Sequence, residues 1–175
     1  MIPTELMRRY TFFTGLNADY KATLAKSAVE FSVDEGHYFF HEGDILDHFY
    51  LVLEGTVAIV IEVPDRDEVQ TLTRQLTGNL KNRDVTVSTV RPGNIFGWSA
   101  LISPHKSTAG AKAQPPCRVV SFDCEELRPL CDEDHEFGYL MTQKVAQVIR
   151  ERLRDMRMES LAEVAIKGEL QIQGT

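Results

Sequence analysis

The sequence predicts a mainly β domain with flanking helices, closed by one long helix. Three observations predict it. Between residues 31 and 122, short apolar runs are cut at turn-like intervals by Gly36, Gly43, Gly55, Gly93 and Gly97. The stretches on either side repeat their apolar residues at three- and four-residue steps. From residue 137 to residue 164 there is no proline, and no glycine after Gly138. At 175 residues, 43% hydrophobic and 26% charged, the chain can bury one core of its own and is too apolar for wholesale disorder.

Residues 1–30 read as helical. Leu6, Tyr10, Phe13 and Leu16 share a face, Gly15 breaks the stretch, and Asn17 caps a second helix through Leu24, Ala25 and Val29. Phe12 and Phe13 serve as an anchor on whatever follows. The run FSVDEGHYFFHEGD supplies β-prone pieces between glycines. In HFYLVLEGTVAIVIEV two strands hinge at Glu54-Gly55. Phe49, Leu51 and Leu53 alternate with Tyr50 and Val52 before the hinge, and Val57, Ile59 and Ile61 with Ala58 and Val60 after it. Both faces are apolar, which belongs to a two-sheet sandwich or barrel.

Residues 62–84 are polar and too long for a hairpin loop, so they are either a flexible flap or a functional insertion. Strands resume at VTVSTV, turn at Pro92-Gly93 and continue through Ile95 and Phe96. A last pair covers residues 108–113 and 118–122, with Pro115-Pro116 between them. Asp123 caps a following helix, with Glu125 and Glu126 in the first turn where negative charge suits the dipole. Pro129 is expected to interrupt it.

The long helix carries Met141, Val145, Val148, Ile149, Leu153 and Met156 on one stripe. At 1.5 Å per residue it runs about 40 Å, farther than the domain. Part of the stripe therefore needs a partner, most simply the same helix of a second chain in a homodimer. Arg150, Arg152, Arg154 and Arg157 give it a basic face, read as solvated. The expected organisation is a β domain over 1–136, the dimerisation helix over 137–165 and a fraying tail over 166–175.

Charge and cysteine usage exclude several classes. The balance of 19 Lys+Arg against 26 Asp+Glu, net −7, rules out a chain-wide basic surface for nucleic acid. Cys117, Cys124 and Cys131 allow at most one disulfide, which fits a reducing cytoplasm. Their spacing crosses Pro116 and Pro129, matches neither a zinc knuckle nor an iron–sulphur run, and reads as buried small hydrophobes. The first residues lack a signal peptide's apolar core, and no run reaches the roughly 18 apolar residues of a membrane helix.

The segment RPGNIFGWSALISPHKSTAGA carries the candidate chemistry. It leaves a strand at Phe96, and Trp98-Ser99-Ala100-Leu101-Ile102 suits one helical turn. The amino end of such a turn, beside Gly97, would direct backbone N–H groups into a cleft as a seat for an anion. Lys106 then brings a cation and Ser107 and Thr108 bring hydroxyls, the groups a phosphate needs.

The whole pattern resembles the cyclic nucleotide-binding domain of the catabolite-activator family and of regulatory kinase subunits. The residues that carry the resemblance are Phe12, Phe13, Gly15 and Leu16, then G-H-Y-F-F-H-E-G-D at residues 36–44 and F-Y-L-V-L-E-G-T-V at residues 49–57. R-P-G-N-I-F-G at residues 91–97, the cassette at 98–109 and the closing helix complete it. The resemblance implies a double-stranded β-helix, or jelly roll, with a long C-terminal dimerisation helix. It implies a ligand over the cassette, such as cyclic AMP or cyclic GMP, with no obligatory cofactor. It assigns backbone phosphate contacts to Ser99, Ala100 and Leu101, a hydroxyl contact to Thr108 or Ser107, and the wall to Val57 and Ile59.

Three departures qualify what the resemblance implies. The glutamate expected after the cassette glycine is Trp98, which accepts no hydrogen bond; its ring would fill the pocket or stack on a base. The arginine expected before the small-residue strand is replaced by Lys106 or Ser107, and a lysine offers a point charge without a fork. Each loss weakens binding about tenfold to a hundredfold. Finally, the residues after Ala165 are too few for a helix-turn-helix domain, so DNA binding by that route is not expected, and the output partner is expected to be another protein.

An enzyme is not expected. His37, His41, His48 and Glu42 are metal-ligand types, but the close His-x-His pair and the later histidine of metal-dependent jelly-roll enzymes are missing. Ser99 lies in no G-x-S-x-G elbow, and the acid pairs read as capping and solubility. The expectation is a regulatory sensor domain, or a dimeric interaction module that takes no ligand.

Overall fold

Alternating glycine-bounded strands do wind into two sheets. The structure, a computed structural model, describes residues 2–64 and 82–172. Among these, the strands are β1 (Ala28–Val33), β2 (Tyr38–Phe40), β3 (His48–Glu54), β4 (Val57–Pro64), β5 (Asn82–Val90), β6 (Ile95–Phe96), β7 (Gly110–Ala113) and β8 (Cys117–Asp123). One sheet runs β1-β8-β3-β6 and the other β2-β7-β4-β5, with every pairing antiparallel. The helices are α1 (Thr4–Met7), α2 (Ala18–Lys26), α3 (Cys124–Glu133) and α4 (His135–Ile172). Short 3-10 turns occupy Thr11–Phe13 and Trp98–Leu101.

The Glu54-Gly55 hinge is not a hairpin. It carries the chain from the first sheet into the second, and Pro115-Pro116 carries it back from β7 to β8. This exchange between layers is the jelly-roll winding. It also explains why β3 is apolar on both faces. Val52 packs with Val57, Val90, Phe96 and Val119 between the sheets. Phe49, Leu51 and Leu53 pack on the other side with Phe12, Phe13, Leu24, Leu127 and Met141. The expected Phe12–Phe13 anchor meets a ring stack there, Phe49 lying parallel to Phe122 at 4.5 Å and Phe13 at 5.6 Å from Phe122.

Several local expectations are corrected. The amino-terminal stretch is α1, a 3-10 turn and α2 rather than two longer helices. Asn17 does cap α2, accepting from Tyr20 N–H at 2.8 Å, but α2 ends at Lys26 and Val29 stands in β1, where β-branching favours the strand. Pro129 sits inside α3 without ending it. The carbonyl it leaves unpaired belongs to Glu125, an exposed residue within reach of water. The flanks of the polar stretch at 62–84 are ladder rather than flap, with Glu62 paired to Asp84 and Pro64 to Asn82. Residues 65–81 lie outside the described residues.

The chain enters α4 through Asp134, whose carboxylate accepts from Phe137 N–H at 3.0 Å and from Tyr20 hydroxyl at 3.1 Å. One turn later α4 crosses α3 so closely that a β-carbon on Gly138 would sit 2.4 Å from the Cys131 carbonyl oxygen. The predicted stripe then divides. Met141 and Val145 are buried in the chain's own core and Val148 packs against it. Ile149, Leu153 and Met156 are 37%, 48% and 48% exposed, so only the distal half of the stripe is left for a partner.

Candidate ligand-binding cavity

The cavity begins where β6 ends. Gly97 adopts φ +73°, and a β-carbon there would lie 3.1 Å from His48 carbonyl oxygen and 3.2 Å from the Tyr50 ring. Both the left-handed conformation and the space call for glycine. The chain then makes the 3-10 turn, in which Ala100 N–H donates to Gly97 oxygen at 3.0 Å and Ile102 N–H to Ser99 oxygen at 3.1 Å.

The loop that follows is stitched to the turn at residues 41–46. Leu46 N–H donates to His105 oxygen at 2.8 Å, Ser107 N–H to Asp44 oxygen at 2.8 Å, and Ser107 Oγ to His41 oxygen at 2.7 Å. Arg128 of α3 locks the same region from below, its Nε donating to Ala100 oxygen at 2.9 Å and its Nη2 to Leu46 oxygen at 2.6 Å. Charge-assisted bonds of this kind hold the cassette and the β3 entry as one unit.

These elements enclose a cavity of about 230 Å³. Its lining combines Phe40, Leu46, Phe96 and Trp98 with Ile59 and Ile61 of β4, Val87 and Ser88 of β5, and Ser99, Ser107, Thr108 and Ala109. Arg152 and Met156 of α4 close it. Arg152 is half-buried, with Nη1 donating to Thr89 oxygen at 3.1 Å and Nη2 to Ile95 oxygen at 3.3 Å.

Of the residues expected at the site, Gly97, Trp98, Ser99, Ser107, Thr108 and Ile59 line the cavity. Val57 and Ala100 are fully buried in the core, and the Ala100 amide is already committed to Gly97. Leu101 opens instead onto a separate cleft with Cys131, Tyr139 and Met141. Lys106 is exposed and bridges to Ile45, its Cε beside Gly43 rather than in the cavity lining. The cation on the wall is Arg152, contributed by a helix far along the chain. Sequence reasoning missed it because a basic helix face looks solvated, and it assigned Met156, also in the lining, to the dimerisation stripe alone. Ile61 was within reach of the sequence, lying two residues beyond Ile59 on the same side of a strand.

Across sheet β2-β7-β4-β5 lies a second polar group. Asp84 accepts from the Tyr38 hydroxyl and from Lys112 Nζ at 2.9 Å. Nearby, His41 Nδ1 meets Glu62 at 2.7 Å and its ring stacks on Tyr38 at 4.2 Å. Burial and the bond to Asp84 raise the Tyr38 hydroxyl above its usual range, and the Tyr38 bond holds Asp84 below the usual carboxylate value. Burial pushes the Cys124 thiol up to about 12 and Cys131 to about 11, so neither carries thiolate near neutral pH. Among the described residues no three His, Cys, Asp or Glu side chains gather as metal ligands, and no helix is long and apolar enough to cross a membrane.

The described residues thus form a two-sheet β-roll whose cavity lies between a short helical cassette and a long closing helix. The model of the cyclic nucleotide-binding domain family matches residues 30–134, more than half of the chain, and the chain belongs to that family. It is 26% identical over 172 residues to a cGMP-dependent protein kinase of Caenorhabditis elegans, covering 94% of this chain and 20% of the kinase. It is 25% identical over 150 residues to a CRP-like cAMP-activated global transcriptional regulator of Mycobacterium tuberculosis, covering 86% of this chain and 58% of the regulator. The chain thus spans a fifth of one relative and under two thirds of the other. A crystal structure of a protein assigned to cyclic nucleotide binding from Geobacter metallireducens GS-15 superposes with a TM-score of 0.71 at 29% identity. That match covers 87% of this chain and 99% of the other.

Proposed function

We propose that this chain is a regulatory ligand-sensing domain whose cavity takes a cyclic nucleotide, cyclic AMP or cyclic GMP, or a related small phosphate-bearing ligand. The observation that carries the reading is the shared wall: Arg152 and Met156 of α4 close the same 230 Å³ space that Gly97, Trp98 and Ser99 of the cassette open. Any guest there touches sheet, cassette and helix together, so occupancy and helix position form one coupled equilibrium. Membership of the family, and relatives named for cGMP and cAMP dependence, support the ligand class.

The volume adds a mechanism. Ligand cavities usually measure about 300–1,000 Å³, so a whole nucleotide enters only if a wall gives. Sheet and Arg128-clamped cassette are the rigid walls, which makes α4 and the Trp98 ring the mobile ones. Ser107 spends its proton on His41 oxygen, so Thr108 is the hydroxyl donor for a ligand. The domain acts by binding rather than catalysis, in the cytoplasm, and reports through α4 to a protein partner. Its exposed Ile149, Leu153 and Met156 form the surface for a second copy.

Isothermal titration calorimetry with cyclic AMP and cyclic GMP tests the reading: saturable heat at one ligand per chain is expected for at least one of them. The small cavity with Trp98 in its wall favours one competing reading, a dimeric protein-interaction module without a ligand. Absence of heat and of any thermal shift with both nucleotides would select that module.

A further inference from the structure

The cavity lining leans strongly towards hydrocarbon. Phe40, Leu46, Ile59, Ile61, Phe96 and Trp98 give it apolar walls, and among the described residues neither a carboxylate nor a carboxamide reaches it. Its hydroxyls are those of Ser88 on β5 and of Ser99, Ser107 and Thr108 in the cassette. Ser107 gives its proton to His41 oxygen, while Ser99 and Thr108 hold no side-chain hydrogen bond among the described residues. The space is also small. An apolar cavity of about 150 Å³ already admits benzene, so about 230 Å³ suits a body of one or two rings with every wall left in place.

We propose that the preferred guest is a phosphate ester of a compact aromatic body, one or two rings with no sugar between ring and phosphate. This rests on the reading above of the cavity as the seat of a phosphate-bearing ligand, and names the class within it. A cyclic nucleotide spreads its polarity over a phosphate, a sugar hydroxyl and the nitrogens of its base. Against hydrocarbon walls the hydroxyl and the base nitrogens lose water and gain too few partners, and each polar atom left unpaired costs about tenfold to a hundredfold in affinity. An aryl phosphate gathers its polarity into one group, which the hydroxyls of Ser99 and Thr108 serve as donors, and no carboxylate among the described lining residues repels it. Its ring meets Phe40, Phe96 and Trp98 in the lining, where aromatic pairing adds to the gain from burial.

The full chain is titrated by calorimetry with 1-naphthyl phosphate, cyclic AMP, cyclic GMP and inorganic phosphate. One 1-naphthyl phosphate per chain is expected, bound about tenfold more tightly than either nucleotide and about a hundredfold more tightly than inorganic phosphate. Trp98→Gln takes a ring from the wall and adds an amide that both donates and accepts, so the preference for 1-naphthyl phosphate over nucleotide should shrink about tenfold. Should Trp98→Gln fail to fold, Ile61→Thr, which brings a hydroxyl to a wall position 37% exposed, carries the same comparison. A nucleotide bound more tightly than 1-naphthyl phosphate would overturn this assignment and leave the sensor reading standing. Equal affinity for inorganic and 1-naphthyl phosphate would overturn it as well, because the ring would then contribute nothing. A preference unchanged in both variants would remove this cavity as the aryl site. No heat with any of the four would overturn the sensor reading and this assignment together.

Discussion

Gly97 concentrates the site's local demands on one position. Its φ of +73° and the 3.1 Å approach of His48 oxygen leave no room for a side chain. Gly97→Ala is expected to destabilise the fold by about 1–3 kcal/mol, measured by urea denaturation, and to weaken any ligand because the cassette shifts. The cysteines make the opposite point. Burial lifts Cys117, Cys124 and Cys131 above the ordinary thiol range. In the native protein at neutral pH all three should react slowly with a disulfide reagent, and quickly once the chain is unfolded. A fast-reacting thiol in the folded state would contradict this burial.

Among the elements, the passage from α3 to α4 is the most constrained. Gly138→Ala would force a β-carbon to 2.4 Å from Cys131 oxygen, so the helices must separate, and a loss of about 1–3 kcal/mol is expected by thermal or chemical melting. Asp134, just before α4, has its carboxyl held below the usual range, first by the Phe137 N–H and further by the Tyr20 hydroxyl. A depressed carboxylate contributes stability that is present above its unfolded value, near pH 4, and lost as pH falls through the lower folded value. The stability difference between the parent chain and Asp134→Ala should therefore be full at neutral pH and close at acid pH. Asp123 and Asn17, as caps, were legible because capping is local chemistry. Pro129 misled because a helix anchored by buried Cys124 and Leu127 carries an interior proline when the carbonyl it orphans is exposed to water.

For the molecule as a whole, the sequence revealed the punctuation and concealed the partition. The glycines at 36, 43, 55, 93 and 97 all adopt positive φ and bound strands as expected. Nothing local distinguishes β3 from β4, yet they enter different sheets, since sheet membership is decided by pairings distant in sequence. The cavity followed the same rule: Gly97, Trp98 and Thr108 could be read from one cassette, whereas Arg152 arrives from a helix whose polar face resembles any solvated surface. The divided stripe on α4 carries the assembly prediction. Leu153→Glu places a charge on the exposed half without touching the buried half, so sedimentation should show monomer in place of dimer, with the melting temperature lowered only by the association that is lost. A variant that sediments like the parent would remove α4 from the interface.

The chain contains one tryptophan, and it stands in the cavity wall. Light absorbed at 295 nm is therefore emitted from the site alone, so a change in colour or intensity on adding a nucleotide reports an event there and nowhere else. The protein carries its own optical gauge, and no label is needed to follow how fast a guest arrives and leaves.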